Sequence, residues 1–218
     1  MSIKIIAGQY GGIPIAIPKS ARPTLSRYRQ ALFDILAASE LDFFYNKTVL
    51  DCFAGSGALG IEAISRGATH AYLVDRNKDA ISTIMSNISK LKIADRCTLI
   101  RSDIMQLSHC YDKCGLLNEK KDNNTNYDEN DGICSYGKFT PNTKTPNHCD
   151  VAFLDPPYFD KSIPIEQVVD HLGQFRWISK KTIVVVEQSS LITDSIQNLN
   201  VLILKKTGNS RFIIGTPK

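Results

Sequence analysis

Short apolar runs that each end at an acid organise most of this chain. Lys47-Thr-Val-Leu-Asp51, Ala71-Tyr-Leu-Val74 before Asp75, Cys97 to Ile100 before Asp103, and Val151-Ala-Phe-Leu154 before Asp155 share one plan. Continuous apolar runs of this length predict strands buried on both faces, the habit of parallel sheets. Thr182 to Val186, ending at Glu187, is a further strand, and Val201 to Lys205 with Phe212 to Ile214 reads as a C-terminal hairpin across Thr207 to Ser210. Near the N-terminus, Ile3 to Ile6 and Ile13 to Ile17 flank Gly11-Gly12 as a hairpin. Helical spacing appears where Thr24 can cap a helix to about Ala38, with Leu25, Tyr28, Leu32, Ile35 and Leu36 on one apolar face. Cys52-Phe-Ala-Gly-Ser-Gly57 joins the first sheet strand to a helix beginning near Ile61 and stopped at Gly67.

The strand-end acids fall on one edge of such a sheet, where open α/β sheets bind ligands. Gly55 and Gly57 let backbone approach a ligand with no Cβ in the way. Asp75 follows them by about 20 residues, the spacing at which an acid meets ribose hydroxyls. The loop lacks the G-x-x-x-x-G-K-[ST] lysine, which argues against a P-loop NTPase. Asp51 beside the turn would repel a pyrophosphate and suits a ligand with an amino group and a sulfonium charge. Asp155-Pro156-Pro157-Tyr158 completes the chemistry. The acid and the Pro156 carbonyl can accept both protons of a planar exocyclic amine, the prolines make a rigid turn, and Tyr158 offers a stacking surface. A strand that merely turns at Pro-Pro is the plain alternative.

Composition changes the picture little. The chain has 218 residues, 43% of them hydrophobic, enough for one α/β domain with a sizeable core. No apolar stretch approaches the roughly 20 residues of a bilayer span, and the N-terminus has no secretion signal, so a cytoplasmic protein without membrane contact is expected. The formal net charge is +4, and its placement matters more than its size. Lys4, Lys19, Arg22, Arg27 and Arg29 lie within Met1 to Phe33, where there is no acid. One-sign stretches of this kind suit phosphate contacts.

The segment Val49 to Ala68 together with Asp155 to Tyr158 resembles the RsmD family, bacterial 16S ribosomal RNA (guanine-N2) methyltransferases that use S-adenosylmethionine. Ile5 to Gly8, and Arg22-Pro-Thr24 with Arg27, Arg29 and Ala31-Leu-Phe33, are similar to that family's opening strand and its RPT helix. Ser26 and Gln30 depart from it by replacing acids usual there. The resemblance implies a Rossmann-like class I methyltransferase, a seven-stranded mostly parallel sheet with helices on both faces. Residues 1–45 would then form an RNA-gripping extension, using Arg22, Thr24, Arg27 and Arg29, and residues 46–218 the catalytic domain. S-adenosylmethionine would lie on Asp51, Phe53, Ala54, Gly55, Ser56, Gly57, Asp75, Arg76, Asp103 and Ile104. The implied partner is 16S rRNA within an assembling 30S subunit, and the expected state is a monomer.

Two other function classes remain open on the sequence. Asp-Pro-Pro-Tyr also serves DNA adenine-N6 and cytosine-N4 methyltransferases, and a non-catalytic RNA-binding assembly factor could retain the fold. Lys120 to Gly132 is polar, Asn-rich and without apolar period, which predicts a disordered loop, and residues 106–149 around it are expected to be a disordered insertion. His109, Cys110, Cys114, Cys134, His148 and Cys149 lie in or beside it, but without a C-x-x-C pair no metal is expected.

Overall fold

A computed structural model describes residues 1–18, 25–39, 42–107, 135–136, 148–156, 164–191, 195–208 and 210–218. Of residues 106–149, expected to be a disordered insertion, most therefore lie outside the described residues, as do Arg22, Thr24, Pro157 and Tyr158.

The strands and helices expected from the sequence appear in the predicted order, together with two helices, at 78–91 and 165–174, that were not expected. Strands β1 (Ser2–Lys4) and β2 (Pro14–Ala16) pair antiparallel as the N-terminal hairpin. Helix α1 (Leu25–Ser39) follows. Then come β3 (Thr48–Asp51), α2 (Ala58–Ser65), β4 (His70–Asp75), α3 (Lys78–Leu91) and β5 (Cys97–Arg101). The two-residue strand β6 (Ser135–Tyr136), β7 (Val151–Leu154), α4 (Ile165–Gln174), β8 (Ile183–Ser189) and the hairpin β9 (Leu199–Thr207) and β10 (Ser210–Pro217) complete the chain.

The sheet order is β6-β5-β4-β3-β7-β8-β10-β9. β5, β4, β3, β7 and β8 run parallel, while β10 and β9 close one side antiparallel. Seven of these strands are the ones expected. The eighth, β6, pairs with the β5 edge from within the segment that had no apolar period to predict it.

Alternation within the central strands divides the core in two. Val49, Phe153 and Val185 face a layer that includes Phe33 of α1, Ile61 and Ile64 of α2, and Ile84 and Ile88 of α3. Leu50, Ala152, Leu154, Val184 and Val186 face the other side, against Val168, Val169 and Leu172 of α4. Helices thus cover both faces, which is why these strands read as unbroken apolar runs. Helix α3 has a legible start, with the Asn77 side chain accepting from the Asp79 N–H at 2.8 Å. Among the described residues no helix is long and apolar enough to cross a membrane.

The N-terminal hairpin is tied to this layer by buried polar side chains. Glu62 in α2 is wholly buried and accepts from the Ile6 and Ala7 N–H groups at 2.7 and 3.0 Å. Arg66 Nε donates to the same carboxylate at 2.8 Å. Asn87 in α3 accepts from the Ala16 N–H at 2.8 Å and donates to the Ala16 and Ser56 carbonyls at 2.9 Å. Ile5, Ile15 and Phe33 share one apolar cluster with Phe153 of the central sheet.

Candidate active site

The strand order reverses between β3 and β7, and a crevice opens there at the carboxyl ends of the strands. Asp51 ends β3 and Asp155 follows β7 directly, so sheet topology brings together two acids that lie far apart in sequence. Asp75 ends β4, and Asp103 stands two residues past β5.

Between β3 and α2 the backbone takes positive φ at Gly55 (56°) and Gly57 (78°), which side-chain-bearing residues adopt at a cost. Asp75 holds this loop, its two carboxylate oxygens accepting from the Gly55 and Asn77 N–H groups, each at 2.8 Å. No local pattern reveals this contact, because the 20-residue spacing is equally the ribose signature. Asp51 is 1% exposed, and its Oδ2 accepts from the Gly60 N–H at 3.1 Å. Its Oδ1 is buried with no hydrogen-bond partner among the described residues. Burial pushes the Asp51 carboxyl up to about 7; the Gly60 amide opposes the shift and Asp75 adds to it. Asp103 caps a short turn by accepting from Met105 N–H at 3.0 Å and pairs with Arg76 at 3.3 Å.

A cleft adjoins the glycine loop. Its walls are Tyr28, Arg29 and Leu32 from α1, the Phe53–Ser56 loop, Ala58 and Leu59, with Asp155, Glu187 and Phe212 on the sheet side. Asp155 is half-buried, and its carboxyl is pushed well above the usual range, first by burial and then by Glu187 and Asp51. Ser210 Oγ donates to Glu187 at 3.0 Å.

Of the predicted site residues, Asp51, Phe53, Ala54, Gly55, Ser56, Gly57, Asp75, Arg76, Asp103, Ile104, Asp155 and Pro156 all gather at this sheet edge. Arg29 differs from expectation. Placed by its charge on an RNA-facing surface, it is instead 4% exposed, donates to the Lys4 carbonyl and lines the cleft. The reason is periodic, since Arg29 shares the inward face of α1 with Leu32, Phe33 and Leu36. Arg27 lies in α1, with its side chain outside the described residues. Glu187, expected at the end of its strand as a candidate cleft residue, does line the cleft, whereas the part α1 plays as a cleft wall was not expected. An acid after the Thr182 to Val186 run was the available signal for Glu187. Of the candidate zinc ligands, Cys149 is buried with a free thiol and His148 contacts the Arg176 carbonyl at 3.0 Å; the other four lie outside the described residues.

Sheet order, glycine turn and strand-end acids together define a Rossmann-like class I methyltransferase fold. Solved structures agree at the level of fold. The Escherichia coli protein yhhF superposes with a TM-score of 0.68 at 24% identity, covering 100% of this chain and 99% of that one. The ribosomal protein L11 methylase of Lactobacillus delbrueckii subsp. bulgaricus superposes at 0.54 with 13% identity, covering 88% and 80%. The sequence profile of the family described as Conserved hypothetical protein 95 matches residues 3–115 and 119–216. The chain belongs to this family, the RsmD family. Among its relatives are Ribosomal RNA small subunit methyltransferase D of Buchnera aphidicola subsp. Acyrthosiphon pisum, 30% identical over 85% of this chain and 78% of that protein. The uncharacterized methylase RP545 of Rickettsia prowazekii is 28% identical over 97% and 96%.

Proposed function

We propose that this protein transfers a methyl group from S-adenosylmethionine to the exocyclic N2 amine of a guanine in 16S rRNA. The observation that carries the reading is Asp155, half-buried at the switch between β3 and β7 and opening onto the same cleft as the glycine loop. Relatives named for small-subunit ribosomal RNA methylation support the substrate class.

The residues present fit the cofactor. The orphaned Asp51 Oδ1 is an acceptor for an ammonium group, and a Cβ added at Gly55 would meet nothing nearer than the Phe53 carbonyl at 4.0 Å, so the loop leaves room for a ligand. Asp75 and Asp103, with Ile104, are assigned to its ribose and adenine. When bound, S-adenosylmethionine supplies an electrophilic methyl group. Asp155 and the Pro156 carbonyl hold the two amine protons, which turns the nitrogen lone pair toward that methyl. Phe53 and Phe212 wall the cleft and exclude water. As the new N–C bond forms, the methyl–sulfur bond would break with its electron pair left on a neutral thioether, and the amine gives up one proton. Asp155, its carboxyl raised by its surroundings, is a fitting first acceptor. Tyr158 is assigned to stack on a base turned out of its RNA context, and Arg22, Thr24 and Arg27 to grip phosphates.

The test is methyl transfer from labelled S-adenosylmethionine to 30S subunits, free or assembling, from cells lacking the protein. Mass spectrometry should find N2-methylguanosine in 16S rRNA. Label in DNA or in another nucleoside would overturn the base assignment, and cofactor binding without transfer would favour an assembly factor.

A further inference from the structure

One carboxylate in the cleft has no task in the transfer just described. Glu187 lies on β8, the strand beside Asp155. The register pairs Leu154 with Val186, so Asp155 and Glu187 occupy the next positions on neighbouring parallel strands. Both line the cleft, and they are close enough that Glu187 is the leading charged influence on Asp155. Glu187 accepts from the Ser210 hydroxyl of β10, and a carboxylate, with roughly four lone-pair sites, can accept from more than one donor at once.

We infer that Glu187 reads the edge of the target base by accepting the ring N–H that adjoins the amine held by Asp155. This rests on the reading of the cleft as an amine-methylating site. Two carboxylates side by side match an edge that offers an amine and then a ring N–H. Guanine presents that order, N2 amine, N1–H, then O6. Adenine and cytosine put a ring-nitrogen lone pair beside their amine, and that lone pair would face the Glu187 carboxylate. The pair of acids therefore selects guanine by repulsion of the alternatives as much as by attraction. Aspartate alone, as in the Asp-Pro-Pro-Tyr turn, distinguishes only an amine from its absence.

The experiment compares small-subunit RNA carrying guanosine at the methylated position with the same RNA carrying 2-aminopurine there. That analogue keeps the N2 amine but has a lone pair at N1 and no O6. The wild-type protein should prefer guanosine by about a hundredfold or more in kcat/KM, as sites built to hydrogen-bond a group reject analogues lacking it. Glu187→Gln, whose amide can donate to N1, should narrow that preference by about tenfold or more while S-adenosylmethionine affinity stays unchanged. A wild-type preference below about threefold overturns the inference whatever the variant does, against the wide rejection expected of such a site. An unchanged preference in Glu187→Gln overturns the part assigned to Glu187. Wild-type protein that methylates no guanosine at all overturns the proposed function instead.

Discussion

Single side chains in this cleft are tuned by burial more than by partners. Asp155→Ala removes the acceptor for the amine, so turnover should fall by about a hundredfold or more, the usual loss for an electrostatic catalytic group, with cofactor binding nearly intact. Full activity in steady-state methyl transfer would sink the clamp. Asp51 offers a pH signature. Its carboxyl is raised from 3.8 to about 7 in the folded protein, so the folded state binds the extra proton across that window. Any stability linked to it is present below about pH 4 and is lost as pH rises through about 7. Cofactor binding has the opposite sign, because only the ionised carboxylate attracts an ammonium. Affinity for S-adenosylmethionine, measured by calorimetry, should climb between pH 6 and 8 and release a proton, and Asp51→Asn should flatten that profile. A wild-type profile already flat would remove Asp51 from the methionine end of the site.

At the scale of elements, the hairpin of β1 and β2 depends on buried side chains from α2 and α3 rather than on its own pairing, which is only three residues deep. Removing one side of a buried, hydrogen-bonded charge costs about 3–5 kcal/mol, so Glu62→Ala should lower unfolding stability by roughly 3 kcal/mol in denaturant titration. It strands the Ile6 and Ala7 N–H groups and leaves Arg66 without its partner carboxylate. Asn87→Ala should cost about 2 kcal/mol, since it frees both backbone groups of Ala16. Losses under half a kcal/mol would mean that the hairpin is held by its apolar contacts alone. These anchors were invisible as such in the sequence. Glu62 reads there as one acid on a helix, and only its 0% exposure and its reach of 56 residues along the chain reveal the role. The strands and the glycine turn, by contrast, were legible, because period and turn chemistry are local properties.

For the whole molecule, charge placement and shape act together. Arg22 and Arg27 are the basic residues of the RPT segment proposed for phosphate contact, whereas Arg29 is buried and lines the cleft. Arg22→Ala and Arg27→Ala should each weaken RNA binding and reduce the slope of log affinity against log salt by about one, as losing one phosphate contact does. Affinity that is unchanged at low salt would remove the N-terminal grip. The strand-end acids, the glycine loop and the Asp-Pro-Pro-Tyr segment followed from the sequence by itself, since each is a short stretch whose chemistry its own neighbours dictate. Only the tertiary structure decided that Asp155 stands beside Glu187, that Asp75 is tied to Gly55, and that Arg29 faces inward. Those are relations between strands and helices far apart in the chain, set by register and by which face of a helix the core takes, and no local pattern encodes them.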